Sequence, residues 1–349
     1  MKILTVVGAR PQFIKAATVS RTIRSTKNHE EVMVHTGQHF DAEMSDVFFS
    51  ELRIPQPKYS LDIHGGGHGR MTGRMLEAIE EVIDVERPEV ALVYGDTNST
   101  LAGALAATKL HVPVAHVEAG LRSFNREMPE EINRVLTDHM SEVLFCPTTT
   151  AQTNLDKEGI TANVHNVGDV MYDASLFAVE KMGQRDSILE RLGLTAKAYV
   201  LCTIHRAENT DDKRKFAALL KLLQKVASDH CVVFPIHPRT RKAMENHGFS
   251  PGPIRVIDPV GYLDMNELLA GASEVYTDSG GLQKEAYFHR SPCVTLRGET
   301  EWVETIQAGW NRLWTEDRYE KRREIEEYGD GSAAEKIVEI LEQWVSHRQ

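Results

Sequence analysis

Asp96 and Glu118 each follow an apolar run that reads as a strand, Val90–Tyr94 and Val112–Val117. A carboxylate at such a place can take or return a proton. Helix capping alone would account for Asp96, which stands just before the helical run Leu101–Lys109, but Glu118 is followed by a loop. His205 and Arg206 close a third run, Tyr199–Ile204, and suit electrostatic work on a pyrophosphate. Gln38 and His39 stand after a fourth, Val32–His35. Thr277-Asp278-Ser279-Gly280-Gly281 lies between the strand-like Glu274–Thr277 and a helix opening at Lys284. Backbone N–H groups at Ser279, Gly280 and Gly281, with the dipole of that helix, would make an anion site. Glycine lets a phosphate approach the backbone closely. Glu285, one turn on, is placed to reach ribose hydroxyls. Arg10 in the turn after Lys2–Val7, and Lys15 one turn into the next helix, add two cations suited to a diphosphate.

These residues share one kind of position. Each follows a strand in a chain that alternates strands with helices, and ligands in open parallel sheets gather at the carboxyl ends of strands. The pattern predicts an α/β fold of two Rossmann-type, doubly wound domains. Residues 1–168 form the first, joined by a C-terminal amphipathic helix within 332–349, and residues 169–331 form the second. Strands are expected at Lys2–Val7, Val32–His35, Val90–Tyr94, Val112–Val117, Glu142–Cys146 and Asn163–Val167, then at Tyr199–Ile204, Cys231–Ile236, Ile254–Ile257, Glu274–Thr277 and Cys293–Leu296. The first turn, Gly8-Ala9-Arg10-Pro11, lacks the full G-x-G-x-x-G, so a dinucleotide fingerprint is not supported. The glycine-rich run from Leu61 to Arg70 reads as a lid or binding loop before a helix Met71–Glu86. Pro129, Glu130 and Glu131 suit the first turn of another helix.

Composition excludes several classes. The chain has 349 residues and a formal net charge of -11, which argues against nonspecific nucleic-acid binding. No apolar run approaches the ~20 residues that span a bilayer, and Met1–Val7 is too short for a signal peptide. Cys146, Cys202, Cys231 and Cys293 sit in or beside apolar runs without metal-knuckle spacing, so they read as reduced core thiols of a cytoplasmic protein. Gly37 separates His35 from His39 and breaks any helix that would pair them on a metal. No metal and no cofactor is expected.

The motifs Gly8-Ala9-Arg10-Pro11, Gly95-Asp96-Thr97, His116-Val117-Glu118-Ala119-Gly120-Leu121-Arg122, Pro129-Glu130-Glu131-Ile132-Asn133-Arg134, His205-Arg206 and Thr277-Asp278-Ser279-Gly280-Gly281 occur in this order. Together they resemble the non-hydrolysing UDP-N-acetylglucosamine 2-epimerase family. The resemblance implies a GT-B-like fold, a UDP-sugar in an interdomain cleft, and a homodimer. By the same resemblance Arg10, Lys15, Ser279, Gly280 and Gly281 hold the diphosphate, Glu285 the ribose, and Val260 and Met265 border the base. Asp96, Glu118, Glu130 and His205 match the catalytic positions. Trp302 departs from the family's usual Thr-Glu-Arg-Pro-Glu, so an arginine contact is not carried over. Residues 64–69 and 38–43 also depart, which puts in question a second, activating UDP-N-acetylglucosamine. Asp62–Gly66, His205–Asn209, His237–Arg241 and Trp302 resemble the branch acting on UDP-2,3-diacetamido-2,3-dideoxy-glucuronate, which serves O-antigen and other surface polysaccharides. A carboxylate at sugar C6 would need a cationic partner, for which Arg206, Arg239 and Arg241 are candidates.

Chemistry narrows the route. No carbonyl beside C2 acidifies its hydrogen, so a direct carbanion has no sink. Loss of the C2 proton together with UDP from C1 gives a 2-acetamidoglycal, and UDP adds back with protonation on the other face. The same residues would serve a hydrolysing epimerase or a GT-B glycosyltransferase. A UDP-sugar sensor would have no use for three acids.

Overall fold

The computed structural model describes residues 1–26, 28–38, 51–52 and 54–348. The chain divides into two compact units, Met1–Ala174 with Glu326–Gln349, and Ser175–Ile325. The helix Val170–Met182 carries the backbone from one to the other.

The first unit is built on a parallel sheet of β1 (Lys2–Val7), β2 (Glu30–His35), β3 (Tyr59–Ser60), β4 (Val90–Tyr94), β5 (Val114–Val117), β6 (Val143–Cys146) and β7 (Val164–Asn166). Their spatial order is β3-β2-β1-β4-β5-β6-β7. The chain moves outward from β1 and returns beside it as β4, with Ile3 opposite Val90 and Val6 opposite Val93. The exits of β1 and β4 therefore flank the point where strand order reverses, the place where such sheets hold ligands. The second unit repeats the plan with β8 (Tyr199–Thr203), β9 (Cys231–Pro235), β10 (Arg255–Ile257), β11 (Glu274–Thr277), β12 (Cys293–Thr295) and β13 (Asn311–Leu313), ordered β10-β9-β8-β11-β12-β13. Its reversal lies between β8 and β11, where Thr203 pairs with Thr277.

The central strands are continuous apolar runs because helices cover both faces. Leu4, Val6, Val34, Val93 and Ala102 share one core cluster, and Tyr199, Leu201, Val233 and Val275 another. The strands β3 and β13 escape sequence reading because edges two or three residues long carry no period to detect. The helix expected from Met71 begins earlier, at His68. Cys146, Cys202 and Cys293 are buried, but Cys231 is exposed. It is the first residue of β9, before the strand enters the core.

The C-terminal helix Ala333–Ser346 packs on the helix Arg10–Ser25 and starts on Asp173. The Asp173 carboxylate accepts from Ala333 N at 3.3 Å and from Ala334 N at 2.8 Å. Burial pushes its pKa up to about 6, against the pull of those two N–H groups, and the charges of Asp169 and Asp330 add to the rise. A carboxyl raised in the folded state binds its proton more tightly there than in the unfolded chain. Its stabilising contribution is then full below pH ~4 and is lost as pH rises through about 6. Urea denaturation of the wild type and Asp173→Asn from pH 4 to 7 should show the wild type losing about 1–3 kcal/mol more than the variant across that window. Parallel pH profiles would contradict this account of the helix anchor.

Candidate functional site

On the first unit the reversal point is assembled around glycines. Gln12 Oε1 accepts from Gly8 N at 2.8 Å and Ala9 N at 3.0 Å, while its Nε2 donates to Tyr94 O and Thr100 Oγ1, both at 2.9 Å. One buried amide thereby ties the turn after β1 to the turn after β4. A Cβ on Gly8 would fall inside Thr36 Oγ1 and Ser99 Oγ, so the residue must be glycine. Those hydroxyls lie 2.8 Å apart, and Gln38 Oε1 accepts from Ser99 N at 3.0 Å and Ser99 Oγ at 2.7 Å. Gln38 thus sits at the same edge. His39 and residues 40–43 lie outside the described residues.

Asp96 does not cap a helix. The cap of Asn98–Lys109 is Thr97, whose hydroxyl accepts from Thr100 N. The Asp96 carboxylate instead pairs with Arg134, and Arg134 Nη1 also donates to Glu131 Oε2 at 2.7 Å. Burial works against the Arg134 charge, but Asp96 and then Glu131 outweigh it and raise its pKa. Asn133 Nδ2 donates to Asp96 O at 2.9 Å and to Asn98 Oδ1 at 3.3 Å. Asn98 in turn meets His68 Nδ1 at 3.1 Å. Glu118 pairs with Lys15, which is buried at 8 % exposure. The backbone of Glu118 has φ +72, a region side chains rarely adopt and that costs about 1–3 kcal/mol. Gly95 has φ +62, and a Cβ there would lie 3.2 Å from Lys15 Nζ and 3.3 Å from Glu118 Oε2. The ends of β4 and β5 therefore bring Asp96, Glu118, Lys15 and Arg134 to one small region. Arg10 opens the helix Arg10–Ser25 after β1.

Glu130 and Glu131 diverge. Both open the helix Pro129–Met140, but Glu131 turns inward, accepting from Ser123 N and Oγ at 2.9 Å and from Phe124 N at 3.0 Å. Burial would raise its pKa, yet those donors and Arg134 hold it below the usual carboxylate range. Glu130 is left exposed.

On the second unit Asp278 is the organising group. It is fully buried and accepts from His205 N at 3.1 Å, Arg206 N at 3.0 Å and Asn209 Nδ2 at 3.1 Å. The His205 ring stands 3.2 Å away through Nδ1. Against burial, the His205 contact and these donors hold Asp278 below its ordinary pKa. The side chain of His205 is 42 % exposed. Sequence reading placed Asp278 in a turn only. Its role follows from the β8–β11 pairing, which sets the two strand exits side by side.

The helix after β11 starts at Gly280, earlier than expected, with Ser279 as its cap. Ser279 N donates to Thr277 Oγ1 at 2.9 Å, which corrects the expectation of a free N–H there. Gly280 and Gly281 hold the first two helical positions, whose N–H groups have no partner within a helix. A Cβ on Gly280 would lie 2.5 Å from Glu301 Oε1. Trp302 is 4 % exposed, and Lys284 Nζ stands 3.8 Å from its ring centroid, so the indole serves as a platform for a buried ammonium. Glu285 is 3 % exposed beside Tyr262, whose hydroxyl pKa rises through burial and then through the Glu285 charge. Met265 packs in the core and Val260 lies against it.

The arrangement can move protons and bind an anion. A family model described as UDP-N-acetylglucosamine 2-epimerase matches residues 21–342. The UDP-2,3-diacetamido-2,3-dideoxy-D-glucuronate 2-epimerase of Pseudomonas aeruginosa is 52 % identical over 358 residues, covering 98 % of this chain and 99 % of that one. The UDP-N-acetylglucosamine 2-epimerase of Methanocaldococcus jannaschii is 41 % identical over 362 residues, covering 98 % and 99 %. A crystal structure of the M. jannaschii enzyme in complex with UDP-GlcNAc and UDP matches with a TM-score of 0.91, over 98 % of this chain and 100 % of that one.

Proposed function

Because this chain belongs to the UDP-N-acetylglucosamine 2-epimerase family, and is a UDP-sugar 2-epimerase with a GT-B-like fold, we propose that its substrate is UDP-2,3-diacetamido-2,3-dideoxy-glucuronate and its product the manno isomer. The observation that carries the chemistry is the pairing at neighbouring strand ends, Asp96 with Arg134 and Glu118 with Lys15. Each acid is held at its strand end by a fixed cation.

In this reading a carboxylate takes the C2 proton. The C2–H electrons become the C1=C2 bond, and the C1–O bond breaks so that UDP leaves with its electron pair. UDP oxygen then attacks C1 while C2 receives a proton on the opposite face. Asp96, Glu118 and Glu130 share the proton steps. His205, Arg10, Lys15 and the Ser279-Gly280-Gly281 turn hold UDP while it is detached, and Glu285 selects the ribose. Val260 and Met265 border the base, and Gln38 lines the site.

The diacetamido-glucuronate is favoured by the 52 % identity with the P. aeruginosa enzyme. A C6 carboxylate needs a cation, and the ion pairs of the candidates support a choice among them. Arg239 donates to both oxygens of Asp211 at 2.9 and 2.7 Å, and Arg241 to Asp258 at 3.0 Å. Among the described residues Arg206 makes no ion pair, although its charge helps lower the Glu301 pKa after that of Arg297. Arg206 is therefore the cation we assign to C6. A homodimer in the cytoplasm, feeding surface-polysaccharide synthesis, belongs to the same proposal.

Offering both nucleotide sugars in D₂O and following C2 by NMR tests this. Inversion with deuterium at C2 is expected, faster for the diacetamido-glucuronate. Retention of the original C2 hydrogen would exclude elimination, free sugar in the product would indicate hydrolysis, and preference for UDP-N-acetylglucosamine would reassign the substrate.

A further inference from the structure

A second charged network is built from residues close in sequence to the two strand-end acids. His116 on β5 is fully buried, as is the Asp138 carboxylate. The ring Nδ1 meets Asp138 Oδ1 at 2.7 Å, and Nε2 stands 2.7 Å from Gly95 O. A carbonyl oxygen only accepts, so Nε2 is the donor to Gly95 O. Burial would raise the Asp138 pKa, but His116 and Arg122 hold it down, so the carboxylate is ionised. Arg122 donates to Asp138 Oδ2 at 2.7 Å and grips Glu158 through Nε and Nη2 at 2.7 and 2.9 Å. Arg122 thus joins two carboxylates, Asp138 and Glu158.

Two connections of this network lead to the chain around the acids. Asp138 Oδ2 also accepts from Gly120 N at 3.1 Å. One carboxylate therefore fixes the chain two residues before Glu118 and two residues after it, around a residue held at φ +72. Through the His116 ring it also fixes the carbonyl of Gly95, whose Cα lies against the Lys15–Glu118 pair and whose next residue is Asp96.

We propose that His116, held by Asp138, is a positioning residue that sets the Asp96 and Glu118 carboxylates relative to each other through its bond to Gly95 O. Resting on the reading of those acids as the proton carriers, it acts without touching substrate. A buried ion pair that merely stabilised the fold would not need to reach the peptide joining Gly95 to Asp96.

Two substitutions separate the functions of the ring. An asparagine amide reaches roughly where Nδ1 stood and keeps the bond to Asp138 but loses Gly95 O. A glutamine amide reaches roughly where Nε2 stood and keeps Gly95 O but loses Asp138. With the full chain and UDP-sugar substrate, His116→Asn should lose about 10²-fold in kcat, the usual effect of misplacing reacting groups by about an ångström. His116→Gln should retain about tenfold more activity than His116→Asn, with KM within about threefold of wild type in both. Thermal melting checks that each variant is folded at the assay temperature, and rates are compared only below the melting range. Folded His116→Asn with kcat within twofold of wild type, or His116→Gln slower than His116→Asn, would overturn the proposal. If both variants fail to fold, nitrogen-15 shifts of the wild-type ring decide the matter. A proton on Nε2 is required, and a ring whose Nε2 carries none would overturn the proposal. Asp96→Asn run alongside keeps the parent reading distinct. An active Asp96→Asn defeats that reading, whereas an inactive one beside an unaffected His116→Asn defeats only the positioning role.

Discussion

Asp96→Asn is expected to lower kcat about 10³-fold, within the range for losing a positioned acid or base, while the Kd for UDP changes less than about twofold. The fold should survive. The Asp96 side chain is 30 % exposed, and Arg134 keeps its second carboxylate, Glu131, at 2.7 Å. The amide oxygen can still accept from Arg134, so geometry is retained and only proton affinity is removed. UDP affinity is spared because the Asp96 carboxylate pairs with Arg134, which is not among the residues proposed to hold the nucleotide. Turnover is read by NMR and UDP binding by calorimetry. Wash-in of deuterium at C2, measured separately from each epimer, adds the discriminating result. If Asp96 serves one face, exchange into one epimer falls further than into the other. Equal exchange losses would mean that it supports both steps through Arg134 rather than carrying a proton, and a rate within tenfold of wild type would remove it from the proton chemistry.

Why Asp96 and Glu118 were legible without coordinates, while Arg134, Asp278 and His116 were not, has a physical reason. Strand ends announce themselves locally. An apolar run stops at a small or polar residue, and in a parallel sheet that edge is where ligands gather. Reading Asp96 as a helix cap was the competing local explanation, and it fails because Thr97 takes the cap. Arg134, by contrast, sits in the second turn of Pro129–Met140 with no feature of its own. Its meaning comes from the packing of that helix beside the β4 exit, a contact between residues 38 apart in sequence. Asp278 looks like any acid in a turn until β8 and β11 are known to be neighbours. Glu130 and Glu131 give one and the same helix-start signal, and only the backbone path through Ser123 and Phe124 separates the inward acid from the exposed one. At the Ser279 turn Thr277 uses one of the N–H groups that local reasoning left open.

His205→Ala is expected to lower kcat about 10²–10³-fold and to release 2-acetamidoglycal and UDP into solution, which the wild type should retain. The reason lies in what Asp278 does. Its buried charge accepts from two consecutive backbone N–H groups and from Asn209, so removing the imidazole leaves the carboxylate satisfied and the strand exit in place. What disappears is the imidazole, which Asp278 orients and which the proposed reading sets against the departing diphosphate. Without it UDP is bound less firmly during the interval when no covalent bond ties it to the sugar. Escape then competes with re-addition, so the glycal appears at a rate that forward turnover alone does not reveal. Phosphorus NMR for free UDP and proton NMR for the vinyl hydrogen of the glycal measure both. Asp278→Asn should fall between wild type and His205→Ala, because it keeps the shape of the anchor and loses its charge. The order of the three proteins in glycal release is the decisive quantity. If His205→Ala releases no more glycal than wild type while turning over slowly, the imidazole acts on the sugar rather than on the leaving group, and the anchoring of UDP passes to the helix that begins at Gly280.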